Sequence, residues 1–342
     1  MRFLLKRLGG LSCAALLAGS VLAVSASAAS AAITLHGAGS TLVAPIEAEW
    51  AAAWGSATGN SVQYAPVGSG TGYKDVASGL VDFGASDAPL SIYSSPSCNC
   101  VQIPWALTAT GVGFHVNKIK ALRLTGKVLA KIYLGKITNW DSASIKALNP
   151  HVHLPNLHIS VFWRSDASGD TYAFTRYLSD VNASFARAVG SSTTVNFPTG
   201  TGAHGNTGMA SAVKSTNGGI AYIAVSYLIN DSLPAASIRN KAGRYTVPNI
   251  SAIEAAARAF GTVPSSDQVT IVDSPSYAKS AYPISTYTYA IVPRNAPQGS
   301  WIRSFIGFAL SAQGQAFGPR LDFAPIPSQV LTAAQNTLNA VQ

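Results

Sequence analysis

Ile159-Ser160-Val161-Phe162-Trp163-Arg164-Ser165-Asp166-Ala167-Ser168-Gly169-Asp170-Thr171 begins as an apolar, β-branched run and then turns abruptly to small and hydroxyl side chains. The run reads as a buried strand and the Ser and Gly as a tight turn. Phe174, Tyr177, Leu178 and Val181 then share one face of a helix. The design recurs at Gly37-Ala38-Gly39-Ser40-Thr41-Leu42 and at Gly68-Ser69-Gly70-Thr71-Gly72. There the following helices carry Leu42, Ile46, Trp50 and Trp54 on one face, and Tyr73, Val76, Ala77 and Leu80 on another. Ile33–Leu35, Ser61–Pro66, Phe83–Ala85, Gly111–Val116, Gly219–Ile223, Val269–Val272 and Tyr287–Val292 read as further strands. Strands alternating with helices predict α/β layers rather than a sandwich or a bundle. The chain shows no internal repeat, and no Pro/Gly-rich linker divides it, which points to lobes joined by crossing strands.

Length and composition agree with two lobes. The chain has 342 residues, 48% hydrophobic and 11% charged, enough to bury a large core and too many for one typical compact domain. Its first 31 residues read as a signal peptide. Arg2, Lys6 and Arg7 precede the apolar run Leu11 to Val24, and A-x-A cleavage sites end at Ala28 and Ala31. Cys13 lies too early for a lipid anchor, so the expected product is exported, periplasmic or secreted at the cell surface. Removing the leader leaves 20 Lys and Arg against 14 Asp and Glu, a charge of +6. That balance suits an anionic ligand or surface, but without a basic run it gives no nucleic-acid face. Cys98 and Cys100 leave three readings open: a local disulfide, free thiols, or pairing with another chain.

The three turns carry the chemistry. A helix N-terminus presents free N–H donors and positive partial charge, Gly lets the backbone approach a ligand, and Ser or Thr adds a hydroxyl. The competing reading for each turn is ordinary helix capping. Arg164 ends an apolar strand, where a guanidinium needs a partner, and its planar fork suits a tetrahedral oxyanion. Asp166 can orient it; an exposed Arg–Asp pair is the plainer alternative.

These segments resemble the phosphate-binding subunit (PstS type) of bacterial ABC phosphate importers. The likeness rests on Gly37-Ala38-Gly39-Ser40-Thr41, Asp82-Phe83-Gly84-Ala85-Ser86-Asp87-Ala88-Pro89-Leu90-Ser91, Ile132-Tyr133-Leu134-Gly135-Lys136-Ile137-Thr138-Asn139-Trp140-Asp141 and Arg164 to Gly169. Gly205-Asn206-Thr207-Gly208, Gly218-Gly219-Ile220-Ala221-Tyr222 and Tyr282-Pro283-Ile284-Ser285 extend it across Thr34 to Pro327. The resemblance implies a two-lobe periplasmic-binding-protein (type II) fold, with mixed sheets flanked by helices and the ligand in the interlobe cleft. Lobe one is expected at 33–112 and 280–342, lobe two at 113–279. The phosphate ligands it implies are Thr41, Leu42, Ser69 and Asp87 from one lobe and Arg164, Ser168, Gly169 and Asp170 from the other, supported by Ser40 and Asp166. Asp87 would accept the proton of a P–OH, which sulfate lacks. Many members read Gly-Ser-Gly-Thr where this chain reads Ala167-Ser168-Gly169-Asp170, so Asp170 either caps its helix or accepts a second P–OH. Leu42 stands where an aromatic is common. The implied protein is a non-enzymatic monomer that uses no cofactor and delivers phosphate to a membrane permease.

Other signals are weaker. Gly84-Ala85-Ser86-Asp87-Ala88 lacks the last Gly of a nucleophile elbow, and no motif supplies a His. His151, His153 and His158 sit in a loop-like, Pro-flanked setting that reads as surface rather than zinc, and Gly68–Gly72 fits no dinucleotide or P-loop fingerprint. A binder of another oxyanion, a secreted phosphate-binding surface protein and a phosphate-ester hydrolase remain as rival readings.

Overall fold

The computed structural model describes residues 32–94 and 97–342; the leader segment lies outside them. The chain runs β1 (Thr34–Gly39), α1 (Ala44–Thr58), β2 (Ser61–Ala65), α2 (Ser69–Ala77), β3 (Phe83–Ser86), β4 (Cys100–His115), β5 (Arg123–Thr125), α3 (Gly126–Tyr133) and α4 (Ala143–Lys146). It continues through β6 (Ser160–Arg164), α5 (Gly169–Val181), α6 (Ala183–Ala188), β7 (Thr201–Ala203), α7 (Gly205–Ser215), β8 (Gly219–Ala224), α8 (Val225–Asn230), β9 (Ser237–Arg239), β10 (Tyr245–Thr246) and α9 (Ile250–Arg258). It ends with β11 (Ser285–Pro293), α10 (Gly299–Leu310), α11 (Ala312–Gln315) and α12 (Ser328–Asn339).

One mixed sheet runs β2-β1-β3-β11-β4-β8-β6-β7, and β10-β9-β5 form a small second sheet. One strand of the eight-stranded sheet joins the halves. β4 pairs antiparallel with β11 over Cys100 to Ala109 and with β8 over Thr110 to His115, so one continuous strand crosses from one half to the other. Each half has its own core. Trp50, Trp54, Phe83, Trp105 and Phe305 pack in one, with Trp50 and Trp105 ring centroids 5.2 Å apart. Phe114, Trp140, Phe174 and Tyr222 pack in the other, where Phe174 and Tyr222 stack at 4.6 Å. Large aromatic payloads of this kind dominate core energetics. No helix among the described residues is long and apolar enough to cross a membrane.

Three expectations need correction. The strand read over Gly111–Val116 is the second half of β4, whose first half is interrupted for a sequence reader by Pro104. The register opposite β11 shifts there, from Thr288↔Ala106 to Tyr289↔Pro104, leaving Trp105 as the extra residue of a bulge that tolerates the proline. Val269–Val272 is not a strand. Its first residue is held by a side chain instead: the Tyr289 hydroxyl donates to Val269 O at 3.0 Å and accepts from Val269 N at 3.2 Å. Leu80 does not belong to the buried face of α2; the helix stops at Ala77, Gly79 turns the chain at φ +70°, and Leu80 is 74% exposed. Cys98 and Cys100 are joined as a disulfide.

Candidate functional site

Five loops converge where the parallel strands end, the crevice in which open α/β sheets hold ligands. β1 delivers Ser40, Thr41 and Leu42, β2 delivers Ser69 at the start of α2, and β3 delivers Asp87. β6 delivers Arg164, Asp166 and the Ser168 and Gly169 turn into α5, and β7 leads through His204 into α7. Ser40, Thr41, Leu42, Ser69, Asp87, Arg164, Ser168 and Asp170 are all buried. Hydrogen bonds, together with the chain itself, join the ten residues expected at the phosphate site, Asp166 and Gly169 included, into one cluster, and the capping reading holds for Ser168. It is the N-cap of α5, its Oγ accepting from Asp170 N at 3.1 Å, which leaves its own proton to donate.

The two halves of the molecule are tied here. Gly70 N donates to Ala167 O at 2.9 Å, and Gly169 N donates to Ser69 Oγ at 3.1 Å. Contact is close enough that a Cβ on Gly169 would lie 2.5 Å from Asp87 Cβ and 2.7 Å from Asp87 Cα. Two tyrosines brace the first loop from behind: Tyr64 donates to Ser40 O at 2.8 Å and Tyr227 to Thr41 O at 3.0 Å. Within that loop the Ser40 hydroxyl donates to both Asp87 oxygens, at 2.6 and 2.7 Å, and accepts from Leu42 N at 3.0 Å. Ser40 thus orients the carboxylate and the turn together.

Arg164 is held from two sides. Its Nε donates to Asp166 Oδ1 at 2.7 Å, its Nη2 donates to Asp166 Oδ2, and its Nη1 donates to Asp170 Oδ2 at 3.0 Å. Five N–H groups with three engaged leave one on each terminal nitrogen for another acceptor. Asp170 does not cap α5 with its side chain. Its Oδ1 accepts from the Thr110 hydroxyl at 2.6 Å, and its Oδ2 accepts from Asn206 Nδ2 at 2.8 Å as well as from Arg164. Thr110 and Asn206 are site residues that the sequence reading did not single out. Asn206 had a visible signal, since it opens α7 behind a Gly in a fourth strand–turn–helix, but β7 is three residues long and too short to show a period.

Electrostatics separate the carboxylates. Burial pushes Asp166 up, but the hydrogen bonds and charge of Arg164 and the Gly205 amide outweigh it and hold the carboxyl below its ordinary value. Asp87 is raised to about 7, first by burial and then by the charge of Asp170, against the lowering effect of Ser40, Thr288 and Arg164. Burial also raises Asp170, opposed by Arg164, Thr110 and Asn206. Of this pair, Asp87 takes the proton first, because its carboxylate is met by hydroxyls while that of Asp170 has a guanidinium and an amide as well. The formal charge of the cluster is therefore not positive. The cluster offers an anion hydrogen-bond donors and helix N-termini rather than excess cations.

Behind the first loop, Glu47 in α1 is 2% exposed and its Oε1 has no partner among the described residues. Burial raises its carboxyl from 4.5 to about 8. Such a group contributes stability that is complete below pH 4.5 and is lost as pH rises through 8. A Glu47→Gln variant is expected to be more stable than the parent by about 3 kcal/mol at pH 7 and nearly equal to it at pH 4.5. Thermal melts at both pH values check this; a gap that does not change with pH contradicts it. Among the described residues no cluster of His, Cys, Asp and Glu is arranged to hold a metal ion.

Comparison with known proteins converges on one group. A sequence profile for the PBP superfamily domain matches residues 24–313. The phosphate-binding protein PstS of Xylella fastidiosa is 31% identical over 303 residues, covering 87% of this chain and 83% of that protein. The phosphate-binding protein PstS of Haemophilus influenzae is 33% identical over 308 residues, covering 89% of this chain and 92% of that protein. Among solved structures, a high-affinity periplasmic phosphate-binding protein with bound phosphate aligns with a TM-score of 0.68 at 20% identity, over 89% of this chain and 93% of that one.

Proposed function

The chain belongs to the PBP superfamily and, within it, to the PstS phosphate-binding proteins, and from that premise we propose that it binds inorganic phosphate outside the cytoplasm and delivers it to an ABC-type import permease. The observation that carries this is the pairing of one buried carboxylate, Asp87, with donors from two lobes. Thr41, Leu42 and Ser69 from one lobe and Arg164, Ser168 and Gly169 from the other surround a tetrahedral anion, and Asp87 accepts its P–OH. Asp170 acts through Arg164, whose Nη1 it holds at 3.0 Å. Lobe one is 33–112 with 280–342 and lobe two is 113–279; the change of β4 partner from β11 to β8 at Thr110 supports that division. Phosphate is carried and released unchanged by a single chain. Because each lobe owns part of the donor set, ligand favours the closed arrangement, which a permease can distinguish from the open one.

Gly169 tests the shared cleft. A methyl group at this position collides with Asp87 across the lobes, its three nearest neighbours all being atoms of that residue. Gly169→Ala is expected to lower phosphate affinity by about 100-fold while the ligand-free melting temperature stays near that of the parent. Equilibrium dialysis against labelled phosphate reads the first and a thermal melt the second. Equal retention of phosphate by parent and variant would mean that the ligand does not sit between these two loops.

A further inference from the structure

Asn206 is buried and its side chain makes three hydrogen bonds, two of them to residues of the site. Ala224 N, at the end of β8, donates to its Oδ1 at 2.8 Å, and only the amide oxygen can accept there, which fixes the orientation of the group. The two Nδ2 protons then face Thr41 Oγ1 at 2.9 Å and Asp170 Oδ2 at 2.8 Å. The Asn206 backbone N–H adds a second, longer contact to Thr41 Oγ1 at 3.4 Å. A hydroxyl oxygen has two lone pairs and one proton. With both lone pairs of Thr41 facing donors from Asn206, its proton is directed the remaining way.

We propose that Asn206 is a positioning residue that fixes the Thr41 hydroxyl as a hydrogen-bond donor to bound phosphate while holding Asp170 in place, an inference that rests on the phosphate-binding reading. A threonine left to itself can donate or accept, and an accepting hydroxyl contributes nothing to an ionised oxygen. Asn206 removes that freedom and does so from lobe two, so the donor forms together with closure. It is a specificity device as well: a site whose hydroxyl can only donate favours oxyanions over ligands that offer a donor at that point.

The test is a double-mutant cycle read by phosphate titration calorimetry. In the parent, Thr41→Val is expected to cost tenfold or more in affinity, the usual value of a hydrogen bond to a charged group. In Asn206→Asp the new carboxylate captures the Thr41 proton, so adding Thr41→Val is expected to change affinity by less than about threefold. A merely structural role for Asn206 would weaken binding with Thr or Val alike and leave the Thr41→Val ratio as it is in the parent; that result overturns the proposal. Should Asn206→Asp fail to give a cooperative melt, Asn206→Ala carries the same comparison, and the Thr41→Val ratio must again fall below the parent's. A Thr41→Val change that costs nothing in the parent also overturns it. Absence of phosphate binding by the parent itself would instead remove the functional reading on which it stands.

Discussion

An Asp87→Asn variant loses most of its discrimination between phosphate and sulfate: the ratio of the two affinities falls by about 100-fold at pH 8. In the proposed site the parent carboxylate accepts a P–OH but meets a sulfate oxygen as an uncompensated like charge, whereas an amide tolerates both. The same group makes discrimination depend on pH. Asp87 is raised to about 7 in the ligand-free chain, so sulfate competes more effectively in the parent as pH falls through 7 and Asp87 gains a proton. In the variant this pH dependence disappears. Stability moves too. A carboxyl raised from 3.8 to about 7 contributes stability that is present below 3.8 and lost as pH rises through 7, so at pH 8 the ligand-free variant gains up to about 4 kcal/mol over the parent. Competition calorimetry and melts at pH 5.5 and pH 8 check both statements; unchanged selectivity at pH 8 contradicts the first, and a variant melting below the parent at pH 8 contradicts the second.

Arg164→Met has the largest effect on affinity, about a thousandfold. The guanidinium is the cation that Asp166 and Asp170 jointly aim, and two of its N–H groups remain for the ligand. Removing it deletes those donors and leaves two buried carboxylates without their counter-charge, a loss that costs 3–5 kcal/mol of stability in comparable buried pairs as an order-of-magnitude figure, about that here. Lysine is no substitute, since a single ammonium cannot span both carboxylates and the ligand in a plane. Binding within tenfold of the parent would show that Arg164 is a structural cation only.

Much of this site was readable because its residues sit in local patterns. A guanidinium ending the apolar strand Ser160–Arg164 demands a partner, and Ser168 and Gly169 announce a helix start within the same stretch. What was not readable depends on partners far along the chain. Thr110 meets Asp170 across 60 positions and Asn206 meets it across 36, and neither residue carries a local sign of an acidic neighbour. The two alternatives open for Asp170, capping or contact with a second P–OH, both omitted these partners for that reason. The fold divides the same way. Gly111–Val116 was legible as a strand by its composition, whereas Cys100 to Ala109 was masked by Pro104, which only the bulge opposite Thr288 and Tyr289 makes acceptable. Val269–Val272 looked like a strand because β-branched composition reports burial as much as pairing, and here Tyr289 supplies the contact at Val269 that a neighbouring strand would have made.

The central claim is a phosphate-selective cleft, and its most direct test is a calorimetric titration of phosphate into the ligand-stripped protein at pH 8, repeated in a large excess of sulfate. The account predicts tight binding of one phosphate per chain with an affinity that sulfate leaves unchanged within about twofold. Absence of binding heat, or full displacement by sulfate, would contradict it.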